Sequence, residues 1–235
     1  MASAQTIRLL DTLAAIARDR SPAVLASSLS AEDMVLTDAI ARHGLRIGIF
    51  ALDTGRLHGD TLALLAQAED RYRITIEVFR PDAVAVEQFV RAHGRDGLYQ
   101  GADLRKRCCH IRKVEPLARA LEGKQAWLTG QRRAQSQGRT SLPEHELDAV
   151  HGIDKFNPLA AWTEDEVWRY LREHKVPYNA LYDQGYRSIG CAPCTRPVLP
   201  HEEARAGRWW WEGGTQECGL HVAPGGRLVR AKETA

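Results

Sequence analysis

Cysteine is the residue of this chain with the most chemistry to offer, and four of its five cysteines fall into two pairs. Cys191-Ala-Pro-Cys194 has the two-residue spacing that turns both sulfurs toward one metal centre. The adjacent pair Cys108-Cys109 lies far upstream, beside Arg107, His110, Arg112 and Lys113. Four thiolates among cations suit an anionic cluster. Neighbouring cysteines rarely occupy two corners of one tetrahedral zinc site, because their side chains diverge, whereas a 4Fe-4S cubane has its corners several ångströms apart. The pattern therefore favours 4Fe-4S over zinc. On spacing alone a zinc knuckle or redox dithiol for the CxxC, and buried packing for the CC pair, stay open.

The fifth cysteine, Cys218, stands alone in Glu217-Cys218-Gly219-Leu220-His221, where the small neighbour lets a ligand or backbone come close. Such a cysteine is a candidate nucleophile, with an inert exposed thiol as the alternative. Only the thiolate attacks, and a cysteine of pKa about 8.5 is a few per cent ionised at pH 7, so nearby cations or His221 would have to help.

These residues need a scaffold, and the apolar pattern supplies one. Ile7, Leu10, Leu13, Ala14 and Ala17 recur at helical spacing, Ser21-Pro22 breaks the pattern, and Ala23 to Ser27 reads as a buried strand. Ser30, three residues before Asp33 and ahead of Val35, Leu36, Ala39 and Ile40, marks a helix start, so residues 27–33 form a strand-to-helix turn. Further strands are expected at Ile47 to Leu52, Ile74 to Phe79 and Gln125 to Thr129, with a helix from His58 to Glu69. Thr163 and Glu166 form a capping box for a helix that ends before Pro177. Alternating strands and helices imply an α/β fold, a mostly parallel sheet flanked by helices. Ligands of such sheets sit beyond the carboxyl ends of the strands, here residues 27–33, 52–56 and 129–139.

A chain of 235 residues that is 44% hydrophobic can bury one core plus an appendage. We expect one domain over residues 1–206 and a mobile tail over 207–235, where Trp209 to Trp211 and several glycines argue against a continuous element. The net charge of +2 conceals 32 basic residues against 30 acidic ones and gives no reason to expect nucleic acid as a partner. The first ten residues do not read as an export signal, and no apolar run approaches the roughly 18 residues needed to span a bilayer. The expectation is a soluble cytoplasmic protein without membrane contact, whose odd cysteine count points to metal or catalysis before disulfides.

Taken together, several segments resemble the assimilatory sulfonucleotide reductases, and specifically the cluster-bearing adenosine 5'-phosphosulfate reductases. They are residues 28–33 (SLSAED), 52–56 (LDTGR), 108–113 (CCHIRK), 129–133 (TGQRR), 190–196 (GCAPCTR), 207–211 (GRWWW) and 217–221 (ECGLH). The resemblance implies an adenine-nucleotide α-hydrolase-like, Rossmann-like fold, with residues 28–33 in the place of the phosphate-binding loop. Leu29 and Ala31 depart from the SGGxD pattern of the ATP pyrophosphatase relatives, so ATP hydrolysis is not expected.

The same resemblance implies thioredoxin-dependent reduction of adenosine 5'-phosphosulfate to sulfite and AMP, with Cys218 as the nucleophile that carries an S-sulfonate. It assigns Cys108, Cys109, Cys191 and Cys194 to a 4Fe-4S cluster. Ser28, Ser30, Leu52 and Gly130 are expected around the nucleotide, and Lys113, Arg139, Arg205, Arg208 and His221 at the phosphosulfate, where arginine forks suit tetrahedral oxyanions. The implied partners are the sulfonucleotide and a thioredoxin or glutaredoxin-like dithiol, and a homo-oligomer is left open. Competing readings are a 3'-phosphoadenosine 5'-phosphosulfate reductase, an iron-sulfur sensor or nucleotide-binding regulator, and a tRNA-thiolating enzyme.

Overall fold

The computed structural model describes residues 3–212. Helix α1, Ala4–Asp19, is opened by the Ser3 side chain, which accepts from the Thr6 N–H, and it buries Leu9, Leu13 and Ile16. Strand β1, Ala23–Ser27, then leads into α2, Ala31–Arg42. Two more strand-helix units follow: β2, Ile47–Leu52, with α3, Gly59–Tyr72, and β3, Glu77–Phe79, with α4, Ala83–His93. After α5, Ala102–Cys109, and α6, Glu115–Leu121, come β4, Ala126–Leu128, the hairpin β5, His145–Asp148, and β6, Ile153–Phe156, and finally α7, Glu164–Glu173.

The described strands form one six-stranded sheet in the order β3-β2-β1-β4-β6-β5. Every pairing is parallel except β5 with β6. Side chains alternate across β1, so Leu25 enters a core with α1, α2 and α7, while Val24 joins Phe50, Leu117, Leu121 and Trp127 on the opposite face. The chain leaves β1 toward β2 and later returns on its other side as β4, which makes the β1/β4 boundary the switch point of the sheet.

Where the expected strand at Ile74 to Phe79 begins, the structure differs. Arg73 takes a left-handed cap (φ 53°), and the Ile76 N–H donates to Glu69 Oε1, so pairing with β2 starts only at Glu77. Residues 207–212, expected to open the tail, are packed: Trp209 is 1% exposed, and Thr195 and Arg208 form a β-bridge. The remainder of the expected tail lies outside the described residues. No helix among the described residues is long and apolar enough to cross a membrane.

On the side of α2 facing α7, Asp38 is fully buried and accepts from Tyr72 Oη and Tyr170 Oη, each at 2.9 Å, and from Arg42 Nη1 at 3.4 Å. Removing that carboxylate leaves the buried Tyr170 hydroxyl and the part-buried Tyr72 hydroxyl without this acceptor, at about 1–3 kcal/mol for a buried group. Asp38→Ala should therefore lower the urea unfolding free energy by about 2–5 kcal/mol. A change under about 0.5 kcal/mol would show that the network contributes nothing.

Candidate active site

The turn after β1 is built on a buried carboxyl. Asp33 Oδ2 accepts from the Ser28 N–H at 2.7 Å and from Ser28 Oγ at 2.6 Å, while Oδ1 accepts from the Gly130 N–H at 3.1 Å beyond β4. Burial pushes the Asp33 carboxyl above its usual range, and the Ser28 donors oppose that shift. The approach of β4 demands glycine, since a Cβ at Gly130 would lie 2.4 Å from Asp33 Oδ1. Between Ser28 and the Ser30 N-cap, Leu29 turns with φ 60° and is 1% exposed.

Several donors of this turn are already engaged. The Ala31 N–H donates to the Tyr182 hydroxyl at 3.0 Å, and the Asp33 N–H to Ser30 Oγ at 3.4 Å. An anion here must therefore draw much of its stabilisation from side-chain cations.

A cavity of about 280 Å³ opens beyond the strand ends. Its lining includes the apolar residues Ala26, Phe50, Leu52, Leu117 and Trp127 and the cations Lys113, Arg132, Arg139, Arg187, Arg205 and Arg208. Ser28, Ser30 and Gly130 line it too, so eight of the substrate-contact residues expected from the sequence meet in one place. His221 and Cys218 lie outside the described residues. The cations differ in commitment. Arg132 is locked to Glu32 at 2.8 Å, Arg187 pairs with Glu164 at 3.0 Å, and Arg208 Nη1 donates to the Ile189 carbonyl at 3.0 Å. Arg139 Nη1 donates to Gln135 Oε1. Gly190 admits Arg208, because a Cβ there would sit 2.6 Å from its Nη2.

Next to this cavity, Cys108, Cys109, Cys191 and Cys194 surround a void of about 10 Å³ together with Arg56, Arg112, Lys113 and Trp209. All four cysteines are buried, and no disulfide links them. Among the described residues no three potential ligands converge on a single ion position. The two pairs come together from elements of different kinds. A π-helical turn over His110–Val114 joins α5 to α6, because Pro116 has no N–H for the Arg112 carbonyl one turn back. Cys191 and Cys194 instead sit on a loop held by the Ala192 N–H on the Arg56 carbonyl (2.8 Å) and by Thr195 Oγ1 on the Cys191 carbonyl (3.0 Å).

Thr54 Oγ1 lies 3.2 Å from Cys191 Sγ, and Arg112 Nη1 donates to the Thr54 carbonyl at 2.6 Å. Burial pushes the Cys108 thiol up and the Cys194 thiol up to about 11, with the Cys191 sulfur adding to the latter and Lys113 and Arg208 opposing it. Trp209 is among the residues lining this void, and its indole N–H is buried without an acceptor among the described residues. Lys113 lines both the void and the large cavity.

Sequence reasoning missed Tyr182, Trp127, Glu32 and the Glu164–Arg187 pair. Tyr182 and Glu32 act across long stretches of chain, 151 residues to Ala31 and 100 to Arg132, and only Pro116, downstream of the CC pair, gave a local sign of the unusual turn.

Residues 22–197 match the family model described as the phosphoadenosine phosphosulfate reductase domain. The chain is 53% identical over 221 residues to an adenosine 5'-phosphosulfate reductase of Burkholderia cepacia, covering 94% of this chain and 88% of that protein. It is 51% identical to one of Allochromatium vinosum, covering 90% and 83%. Among solved structures it resembles a phosphoadenylyl-sulfate reductase from Candida auris, with a TM-score of 0.66, 30% identity, and coverage of 79% of this chain and 87% of that one. Candida glabrata FMN adenylyltransferase shares the fold at a TM-score of 0.55 and 16% identity, covering 86% of this chain and 69% of that one.

Gly130→Ala tests the contact on which the cavity is built. The added methyl would press on Asp33 Oδ1, so AMP affinity measured by calorimetry should fall at least about tenfold, with loss of stability. Wild-type affinity would mean that Asp33 and β4 can part without disturbing the site.

Proposed function

The chain belongs to the phosphoadenosine phosphosulfate reductase domain family, and from that premise we propose that it reduces adenosine 5'-phosphosulfate to sulfite and AMP. The observation that carries this reading is the shared wall. A nucleotide-sized cavity lined by apolar side chains and several cations shares Lys113 with the four-cysteine void. Adenine would lie against the apolar lining at Leu52, with Ser28, Ser30 and Gly130 around the nucleotide. The phosphosulfate would face Lys113, Arg139, Arg205 and Arg208, joined by His221 from beyond the described residues.

The cysteine face fits a 4Fe-4S cluster held by Cys108, Cys109, Cys191 and Cys194. Four buried sulfurs, surrounding arginines and an indole N–H without an acceptor suit an anionic, acceptor-rich group. When bound, it supplies a compact negative charge beside Lys113, while both reducing equivalents come from a dithiol.

In the proposed reaction the Cys218 thiolate, which lies outside the described residues, attacks the sulfate sulfur. The S–O bond to the phosphate breaks, AMP leaves with its electron pair, and Cys218 carries the sulfonate. Lys113 and the arginines offset the repulsion between the incoming thiolate and two anionic groups. One thiolate of a thioredoxin or glutaredoxin-like protein then attacks the Cys218 sulfur and expels sulfite. Its second thiol resolves the mixed disulfide, leaving the dithiol oxidised and Cys218 reduced. A cytoplasmic setting, where thiols stay reduced and disulfides are rare, would suit this chemistry.

Anaerobically purified protein given reduced thioredoxin and adenosine 5'-phosphosulfate should release sulfite and AMP in equal amounts. Cys218→Ser should lower turnover by at least about 10³-fold while keeping its brown colour and iron content. Sulfite from the 3'-phosphorylated nucleotide alone would move the substrate assignment. No sulfite from either, with iron intact, would sink the enzymatic reading in favour of a sensor.

A further inference from the structure

Arg105 has no part in the reaction outlined above, yet it is 3% exposed and charged. Helix α5 places it four residues before Cys109, on the same face. From there its Nε donates to Glu212 Oε1 at 2.6 Å, and its guanidinium carbon lies 4.7 Å from the centre of the Trp209 ring. Arg208 packs on the same indole, also at 4.7 Å, and reaches the large cavity past Gly190.

The backbone around these contacts is committed as well. Trp209 adopts φ 45°, its N–H donates to the Cys194 carbonyl at 3.2 Å, and the Glu212 N–H donates to the Trp209 carbonyl at 2.9 Å. Arg105 therefore holds two things together: the indole that backs Arg208, and the residue from which the chain continues, six positions later, to Cys218. An exposed ion pair here would matter little, but the side chains are 4% and 17% exposed, so losing one partner would strand a charge away from water.

We infer that Arg105 and Glu212 form a positioning pair that fixes the root of the Cys218 segment against Trp209 and Arg208. The pair touches neither substrate nor reacting atoms, and the inference rests on the reading of Cys218 as nucleophile. Arg105 also hydrogen-bonds the Cys109 side chain, so Glu212 is the partner to change: loosening the root there should slow delivery of the thiol while Arg105 stays against the cysteine face.

The test compares wild type, Glu212→Gln, Glu212→Asp and Cys218→Ser as anaerobically purified full-length protein. For each, iron per chain, AMP affinity, kcat and KM are measured, and for the variants that keep Cys218 also the single-turnover rate of its S-sulfonation. Glu212→Gln, nearly the same shape without the charge, should lose about tenfold in kcat and in S-sulfonation rate, with AMP affinity and iron within about twofold of wild type. Glu212→Asp should recover at least about a third of the lost rate, because it restores the charge. A Glu212→Gln kcat within about twofold of wild type overturns the proposal. So does a parallel fall in iron and AMP affinity, which would make the pair a part of the fold rather than a positioning device. If Cys218→Ser keeps wild-type turnover, the nucleophile assignment itself fails, and the role of the pair falls with it.

Discussion

The carboxyl group of Asp33 sits where the turn after β1, the first turn of α2 and the end of β4 meet, and it accepts from all the donors it can reach there. Two parallel strands on either side of a switch point diverge at their carboxyl ends unless something ties them. Asp33 does so through Ser28 on one side and Gly130 on the other. The gap that remains is the large cavity, and its width follows from that tie. Glu32, next in the chain, repeats the arrangement one step outward with Arg132, which in turn donates to the Trp162 carbonyl ahead of α7. Two acidic residues at one helix start thereby each tie α2 to the segment after β4.

Charge is distributed in the opposite sense above it. The cysteine face alone would be a poor place for four ionised sulfurs, since burial drives Cys108 and Cys194 toward the protonated form. Arg56 and Arg112 offset that tendency at Cys108 and Lys113 at Cys194, and Lys113 also lines the large cavity. A single lysine in a common wall means that a change in charge on one side is felt on the other through a few ångströms of protein, where screening by salt is weak.

Much of this could be read from the sequence, for reasons that differ by element. Strands β1 and β2 and helix α2 were legible because buried parallel strands are near-continuous apolar runs, and Ser30 announces its helix. The β5–β6 hairpin was not, because β5 is a polar edge strand with Leu147 exposed, held by pairing rather than burial. Helix α4 does carry Val86, Phe89 and Val90 at helical spacing, yet of these only Phe89 is buried, and the segment was passed over in the sequence. Within the site, the cysteine pairs and the Ser-rich turn were visible as local patterns. Tyr182 on Ala31 and Arg105 on Glu212 were not, since the sequence gives no sign of contacts spanning 151 and 107 residues.

Leu29 makes a further point about the turn. A left-handed backbone costs a residue with a side chain about 1–2 kcal/mol, and glycine would avoid that cost. Here the leucine side chain is sealed into the main core, so burial holds the strained conformation in place. The entropy of ordering the turn is thus lost once, when the chain folds, and not again each time a ligand arrives. A glycine-rich loop would close around its guest at the guest's expense, whereas this one is preorganised. Its selectivity comes from a fixed outline, and association should need little rearrangement of the loop itself.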